Sequence, residues 1–192
     1  MNVFRTTIFA AMLSCASTAS AQQAPTTPRP EARQFDFLIG QWELEVHPKA
    51  DSLMAKIHGA PQLTGTWKAW RAFDGFGIDD EIRIIDTSGN PVALSHAMRA
   101  YSGAESGWLV ASLDVYRGRV AESKGQWQGG EMVLNGKGTD PEGKPVLTRA
   151  RYSKITPDSF HLQNDRSADN GATWDEAVLV IDAKRIGAAA TR

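Results

Sequence analysis

The sequence predicts an all-β fold: a single antiparallel up-and-down β-barrel with a short N-terminal helix and a small helical insertion after the first strand. Ten segments alternate apolar and polar residues with a period of two, which is typical of strands that bury one face. The connections between them are short and rich in Gly, Asn, Asp and Pro, and no long helical pattern separates two strands. We therefore expect antiparallel neighbours joined by tight turns, in a sheet that closes and so removes its exposed edges.

The first 21 residues have the order of a cleavable secretory signal peptide. Arg5 supplies the positive charge, residues 8–13 form a short apolar core, and Ala19-Ser20-Ala21 supplies the small residues that signal peptidase requires. We expect cleavage before Gln22 and an exported protein, periplasmic or secreted. The apolar run is too short to anchor the chain across a bilayer.

The single cysteine, Cys15, lies inside this leader. A protein cleaved before Gln22 therefore has no disulfide, no thiol nucleophile and no thiolate metal ligand. A second interpretation stays open, because Met12-Leu13-Ser14-Cys15 resembles a lipoprotein cleavage site. Cys15 would then be a lipidated N-terminus, and only in that case is a membrane expected as a partner.

The rest of the chain divides into a flexible linker over residues 22–30, a barrel domain over residues 31–186 and a disordered tail over residues 187–192. The domain begins with a helical turn or two over Glu31 to Ile39. A second short helix is expected over Asp51 to His58, where the strand pattern breaks and a capping residue precedes an apolar face.

The strands follow with turn residues between them. Their predicted bounds are Gln41–His47, Leu63–Phe73, Asp79–Asp86, Val92–Tyr101, Trp108–Tyr116, Arg119–Gln128, Glu131–Lys137, Val146–Ile155, Ser159–Arg166 and Thr173–Arg185. The acidic run Asp79-Asp80-Glu81 is interpreted as the solvated start of a strand.

The segment Gly40-Gln41-Trp42, just after a short helix and at the start of the first strand, resembles the G-x-W signature of lipocalins and related calycin barrels. The resemblance implies that Trp42 plugs one end of a lipocalin-like barrel and that a basic residue near the last strand, Arg185 or else Lys184, packs over it. The wider segment Phe35–Trp42 and three further segments resemble a bacterial lipocalin-like family of unknown function. The three further segments are Gly65–Trp67, Ile155–Phe160 and Ser167–Trp174. The resemblance implies a fold and no particular activity.

The segment from Ser167 to Trp174 matches the pattern S-x-D-x-G-x-T-W, known as an Asp-box. We interpret it as a structural hairpin in which Asp169 binds nearby backbone amides, Gly171 takes an unusual φ and Trp174 packs beneath. The same segment partly fits a calcium loop, although Asn170 stands where such a loop requires Gly. Haem ligation by His161, as in nitrobindin-like barrels, is a weaker alternative because that side chain is expected to point outward. No cofactor and no metal site are predicted.

Alternation along the strands gives candidate pocket residues, because polar side chains on an apolar inward face are costly unless they bind something. If Trp42 points into the barrel, the alternation also turns several polar or bulky residues of four later strands into the barrel. These candidates are Trp67, Arg71, His96, Met98, Tyr152, Asn164 and Arg166. Two arginines and a histidine in an apolar cavity favour an amphipathic ligand with an acidic head.

The composition excludes several partners. The formal net charge is -1, and no basic stretch suits nucleic acid. No nucleophile motif, metal spacing or phosphate loop is present, so the catalytic residues stay unknown. The first hypothesis is an exported small-molecule binding protein. The alternatives are a cofactor-independent barrel enzyme with His96 as acid/base, and a structural domain whose barrel is filled by its own side chains.

Overall fold

The structure, a computed structural model, describes residues 27–50, 60–140 and 143–189. The leader with Cys15 and the helix expected over Asp51 to His58 lie outside these residues. The strands are β1 (Gly40–Pro48), β2 (Leu63–Ala72), β3 (Gly77–Asp86), β4 (Pro91–Ser102), β5 (Gly107–Asp114), β6 (Arg119–Gln128), β7 (Glu131–Thr139), β8 (Pro145–Ser153), β9 (Ser159–Ser167) and β10 (Asp175–Gly187). Three short 3₁₀ turns cover Pro30–Arg33, Asp36–Leu38 and Phe73–Gly75.

The ten strands form one closed antiparallel barrel in which each strand pairs with its sequence neighbours and β1 pairs with β10. The predicted all-β fold, a single antiparallel up-and-down barrel, is thereby confirmed. Tight turns make the hairpins, as between β6 and β7, where Gly129 and Gly130 both have positive φ (58° and 90°). Such a turn twists in the same sense as the strands that it joins.

The N-terminal segment closes one end of the barrel, at which β1 begins and β10 ends; we call it the closed end and the opposite one the open end. The expected helical turns over Glu31 to Ile39 are confirmed as two 3₁₀ turns, which bring Phe35 and Leu38 into the core with 0% exposure. The ring of Phe35 meets Trp108 edge-on, with 4.9 Å between ring centroids. Apolar burial of this segment fixes the plug against the strands.

The register determines which side chains face the interior. Trp42 lies opposite Trp67, which lies opposite Ile82, and the alternation then runs around all ten strands. In the closed half the interior is filled by large side chains with little or no exposure. They are Phe35, Leu38, Trp42, Trp67, Trp108, Met132, Tyr152 and Phe160.

Further along β4 to β8, towards the open end, the inner face carries small residues instead. They are Ser95, Ala97, Ser112, Ala121, Ser123, Gly136, Gly138, Thr148 and Ala150. Most of them are only half-buried, in contrast to the fully buried aromatic plug. The barrel therefore has a packed closed half and a less filled open half.

Candidate functional site

The plug of the closed end is held by a basic residue from β10. The guanidinium carbon of Arg185 lies 4.1 Å from the ring centroid of Trp42, in cation–π contact. Arg185 Nη1 donates to Ile39 O at 2.8 Å and Nη2 donates to Phe37 O at 3.2 Å. Trp42 Nε1 donates to Leu38 O at 2.8 Å. Together these bonds satisfy the carbonyls of the N-terminal segment and join it to the first and last strands.

Gly40 is required by this arrangement for two physical reasons. Its φ is +146°, a conformation that side-chain-bearing residues rarely adopt. A Cβ at this position would also overlap Arg185 Nη1. The spacing of Gly40 and Trp42 therefore leaves room for the arginine that covers the tryptophan.

Arg71 lies at the closed end of β2 and turns towards the N-terminal segment. It forms an ion pair with Asp36, and its Nη1 donates to Ala32 O at 3.0 Å. Its charge is therefore used to hold this segment, at the end of the barrel remote from the open half. In this position Arg71 would not meet the head of a ligand that enters from the open end.

His96 and Met98 face outward, so the predicted inward direction of these two side chains is wrong. The register of β4 with β3 instead places Ala97 and Arg99 inside, opposite Asp80 and Ile78. His96 lies near Trp70, with 6.0 Å between ring centroids, and His96 Nε2 is 3.9 Å from Asp79 Oδ2. A barrel enzyme that uses His96 as an interior acid/base has no support from this geometry.

The remaining candidates do face inward, at three depths. Trp67 and Tyr152 belong to the packed half, with 0% and 3% exposure. Asn164 is half-buried on the inner face of β9, opposite Ala150 of β8. Arg166 lies at the open end, where its Nη2 donates to Asp175 Oδ2 at 3.1 Å.

Asp175 forms ion pairs with two basic side chains at this open end, those of Lys49 and Arg166. A hydrogen bond from Lys49, and after it one from Arg166, lowers the pKa of Asp175. The carboxylate is therefore ionised at neutral pH and balances part of the positive charge. A ligand with an acidic head would meet Arg166 already paired.

The least expected feature of the interior is a buried ion pair between Asp80 and Arg99. Their side chains are 1% and 4% exposed. Asp80 Oδ1 accepts a hydrogen bond from Trp67 Nε1 at 2.9 Å. The guanidinium carbon of Arg99 lies 5.5 Å from the ring centroid of Phe35 and 6.0 Å from that of Trp67. The interpretation of Asp79-Asp80-Glu81 as a solvated strand start is wrong for Asp80.

Arg99 also has a donor that no atom of the described residues satisfies. Its Nε is buried and, within residues 27–50, 60–140 and 143–189, has no hydrogen-bond partner. A buried donor without a partner costs free energy, so such a group commonly marks a bound water or ligand. Sequence reasoning missed this pair because it assigned the opposite face of β4 to the interior. Opposite charges at inward positions of neighbouring strands were the available signal.

The Asp-box forms a closely bonded turn between β9 and β10. Asp169 Oδ1 accepts from Thr173 N at 2.9 Å and from Ser167 Oγ at 2.8 Å, while Gly171 N donates to Ser167 Oγ at 2.8 Å. The hydrogen bonds from Thr173 are the main cause that lowers the pKa of Asp169 to about 2. Gly171 has φ +89°. The guanidinium carbon of Arg149 lies 4.3 Å from the ring centroid of Trp174, in cation–π contact.

A metal is not favoured at this turn. Asp165, the first residue of the possible calcium loop, pairs with Arg149 and Arg151. In the part of the chain that the structure describes, no group of three or more His, Cys, Asp or Glu side chains could hold a metal ion. The same residues include no helix long and apolar enough to cross a membrane.

The fold and the interior define the class: a closed ten-stranded antiparallel barrel with one plugged end. Comparison of the sequence with known protein families and with curated proteins gives no match. Among solved structures, the chain is similar to "a redesigned beta barrel, mFAP0, bound to DFHBI", with TM-score 0.41, 9% identity and coverage of 78% of this chain and 99% of that one.

Two further solved barrels are similar to the chain. One is "EF1p2_mFAP2b bound to DFHBI", with TM-score 0.41, 10% identity and coverage of 81% of this chain and 98% of that one. The other is "a redesigned beta barrel, b11L5F_LGL", with TM-score 0.42, 10% identity and coverage of 80% and 96%. Likeness at these values says nothing about function.

Proposed function

We propose that the protein binds a small amphipathic molecule in the open half of its barrel, with Arg99 at the floor of the site. The main observation behind this proposal is that Nε of Arg99, a residue that faces the interior, is buried and has no hydrogen-bond partner among the described residues. A carbonyl or carboxylate oxygen of the ligand would accept from it. Because Asp80 already balances the charge of Arg99, one acceptor fits this floor better than a second full anion.

The wall above this floor supports the proposal. Ser95, Ser112, Ser123 and Thr148 face inward but stay half-buried, whereas the aromatic plug is sealed. Small residues leave space that large ones would fill, and hydroxyl groups give that space hydrogen-bonding partners. Of the three cations that suggested an acidic head, Arg71 lies at the closed end, His96 lies outside and Arg166 is already paired with Asp175. The polar contact that we propose for the ligand is therefore the one with Arg99.

We further propose that binding takes place outside the cytoplasm. The leader over residues 1–21 carries this part of the proposal. The site does not depend on it, since all the residues that form the floor and wall belong to the barrel.

The test uses two neighbouring residues on β5 that point to opposite sides of the wall. Ser112→Trp places an indole inside the open half, whereas Leu113→Trp places the same indole on the outer face. The probe is 8-anilinonaphthalene-1-sulfonate, an amphipathic acid whose fluorescence rises in apolar surroundings. We expect Ser112→Trp to weaken probe binding at least about tenfold and Leu113→Trp to leave it within about twofold.

Circular dichroism and thermal unfolding establish that both variants are folded before binding is compared. Equal loss in the two variants, or no loss in either, contradicts an interior site. Absence of any probe uptake by the wild type would instead favour the structural hypothesis of a barrel filled by its own side chains.

A further inference from the structure

A groove of about 1100 Å³ crosses the outer wall of the barrel over β4 to β8. Its floor follows one line of cross-strand neighbours: Met98, Ala111, Glu122, Lys137 and Leu147. These residues alternate along their strands with inward-facing ones such as Arg99 and Val110, so the groove lies on the opposite side of the wall from the proposed interior site.

The groove is apolar at its β4 and β5 end. Met98 is 48% exposed and Leu109 is 40% exposed, with Ala100 and Ala111 between them. Large side chains of this kind on one contiguous surface of a soluble protein typically mark a binding site. Apolar residues scattered singly over a surface are ordinary and carry no such meaning.

An aromatic residue stands at each end of the groove. Phe73 is 47% exposed at the β2–β3 connection, and Trp174 lies near Leu147 at the β9–β10 turn. Phe73 and the next residue, Asp74, both have positive φ (53° and 51°), which costs free energy for residues with a side chain. Trp174 is fixed from its other side by the guanidinium of Arg149. The ring of Trp174 is thus held in place, while the ring of Phe73 stands exposed at the other end of the groove.

The charges of the groove favour an anion at its β6 and β7 end. Lys137 makes no ion pair with any other described residue, while Lys124 pairs with Glu105. Glu122 is the acidic residue of the groove floor and lies opposite Lys137 in the register. Because Lys124 is held by Glu105, the cation of the groove lining that stays available to a ligand is Lys137, which lies next to the apolar floor.

We propose that the groove binds a single-chain alkyl carboxylate as a free monomer. Its chain would lie over Ala111, Leu109 and Met98 towards Phe73, and its carboxylate would meet Lys137. From Lys137 on β7 to Met98 on β4, three strand spacings give a path of about 14 Å, which matches an extended chain of about a dozen carbons. This site is separate from the proposed interior site, and either one can exist without the other.

The experiment is a two-dimensional ¹H–¹⁵N NMR titration of the folded protein with dodecanoate, kept below its micelle concentration. We expect saturable shifts of the amides of Met98, Ala111 and Lys137. Dodecylamine, which has the same chain and the opposite charge, should bind more weakly. Lys137→Glu should weaken dodecanoate binding about fivefold or more, because a repulsive charge replaces an attractive one.

Two control variants distinguish binding in the groove from binding inside the barrel and from a general effect of net charge. Lys184→Glu makes the same charge change on the exposed side of β10 and should leave dodecanoate binding unchanged. Ser112→Trp fills the interior and should also leave it unchanged. Loss of binding in Ser112→Trp, shifts confined to interior residues such as Ser95 and Asn164, equal weakening by Lys184→Glu, or the absence of saturable shifts would each overturn the proposal.

Discussion

The buried pair of Asp80 and Arg99 allows a quantitative test of how the interior is stabilised. Replacing Arg99 by Met removes the cation and leaves the Asp80 carboxylate, which is 1% exposed, with Trp67 Nε1 as its hydrogen-bond donor. Removing one partner from a buried pair typically costs about 3–5 kcal/mol in the free energy of unfolding. We expect a loss in this range for Arg99→Met.

The double variant Asp80→Asn/Arg99→Met should be much less affected. The amide oxygen of Asn can still accept from Trp67 Nε1, and no charge is left buried, so we expect a loss of about 1–2 kcal/mol. Arg83→Met is the matched control, because Arg83 is on the outer face of β3 with 53% of its side chain exposed and a distant pair at 3.8 Å. Its loss should stay below about 1 kcal/mol.

The measurement is urea unfolding at pH 7 and 25 °C, followed by tryptophan fluorescence and circular dichroism. Equal slopes of free energy against urea for all variants would show that the change lies in stability alone. A loss below about 1 kcal/mol for Arg99→Met, or a double variant that loses as much stability as Arg99→Met alone, would refute the buried-pair argument.

Three other outcomes are expected. Asp169→Asn should lower stability at pH 7; because the pKa of Asp169 falls from 3.8 to about 2 on folding, this difference between wild type and variant should shrink as the pH falls from about 4 through about 2, measured by thermal unfolding across that range. Arg185→Met should cost about 2 kcal/mol in urea unfolding through its lost carbonyl bonds, and Lys184→Met, an exposed neighbour, much less. The intact mass of protein purified from its source should correspond to a start at Gln22; a mass that includes a lipidated Cys15 would contradict the predicted cleavage.

The fold could be predicted from the sequence because large apolar residues mark the inner face of most strands. On β2, β8 and β9 the alternation places Trp67, Tyr152 and Phe160 on the inner face, and the register has them there. These side chains are too large and apolar for many of them to face water. The alternation along these strands therefore identifies the inner face correctly.

β4 shows why the candidate site could not be predicted in the same way. Its larger residues Leu94 and Met98 lie on the outer face, while its inner face holds small residues and Arg99 until Tyr101 near the closed end. Large apolar side chains usually point into a barrel, but Leu94 and Met98 point outward, and Met98 lines the apolar groove of the outer wall. The period of two was present in the sequence, but only the pairing with β3 could tell which side it faced.

The pairing of β1 with β10 has a consequence for how the chain is made. Gln41 Nε2 donates to the carbonyl oxygen of Ala188, a residue 147 positions further along the sequence. β10, with 13 residues, is the last strand of the barrel in the chain. Until β10 is available, β1 and β9 both present unpaired edges, and no local contact can close the sheet. A newly synthesised chain therefore stays exposed to edge-to-edge association until its final strand emerges. If two such chains meet, the exchange of β10 between them would satisfy both edges and yield an intertwined dimer with the same strand pairings.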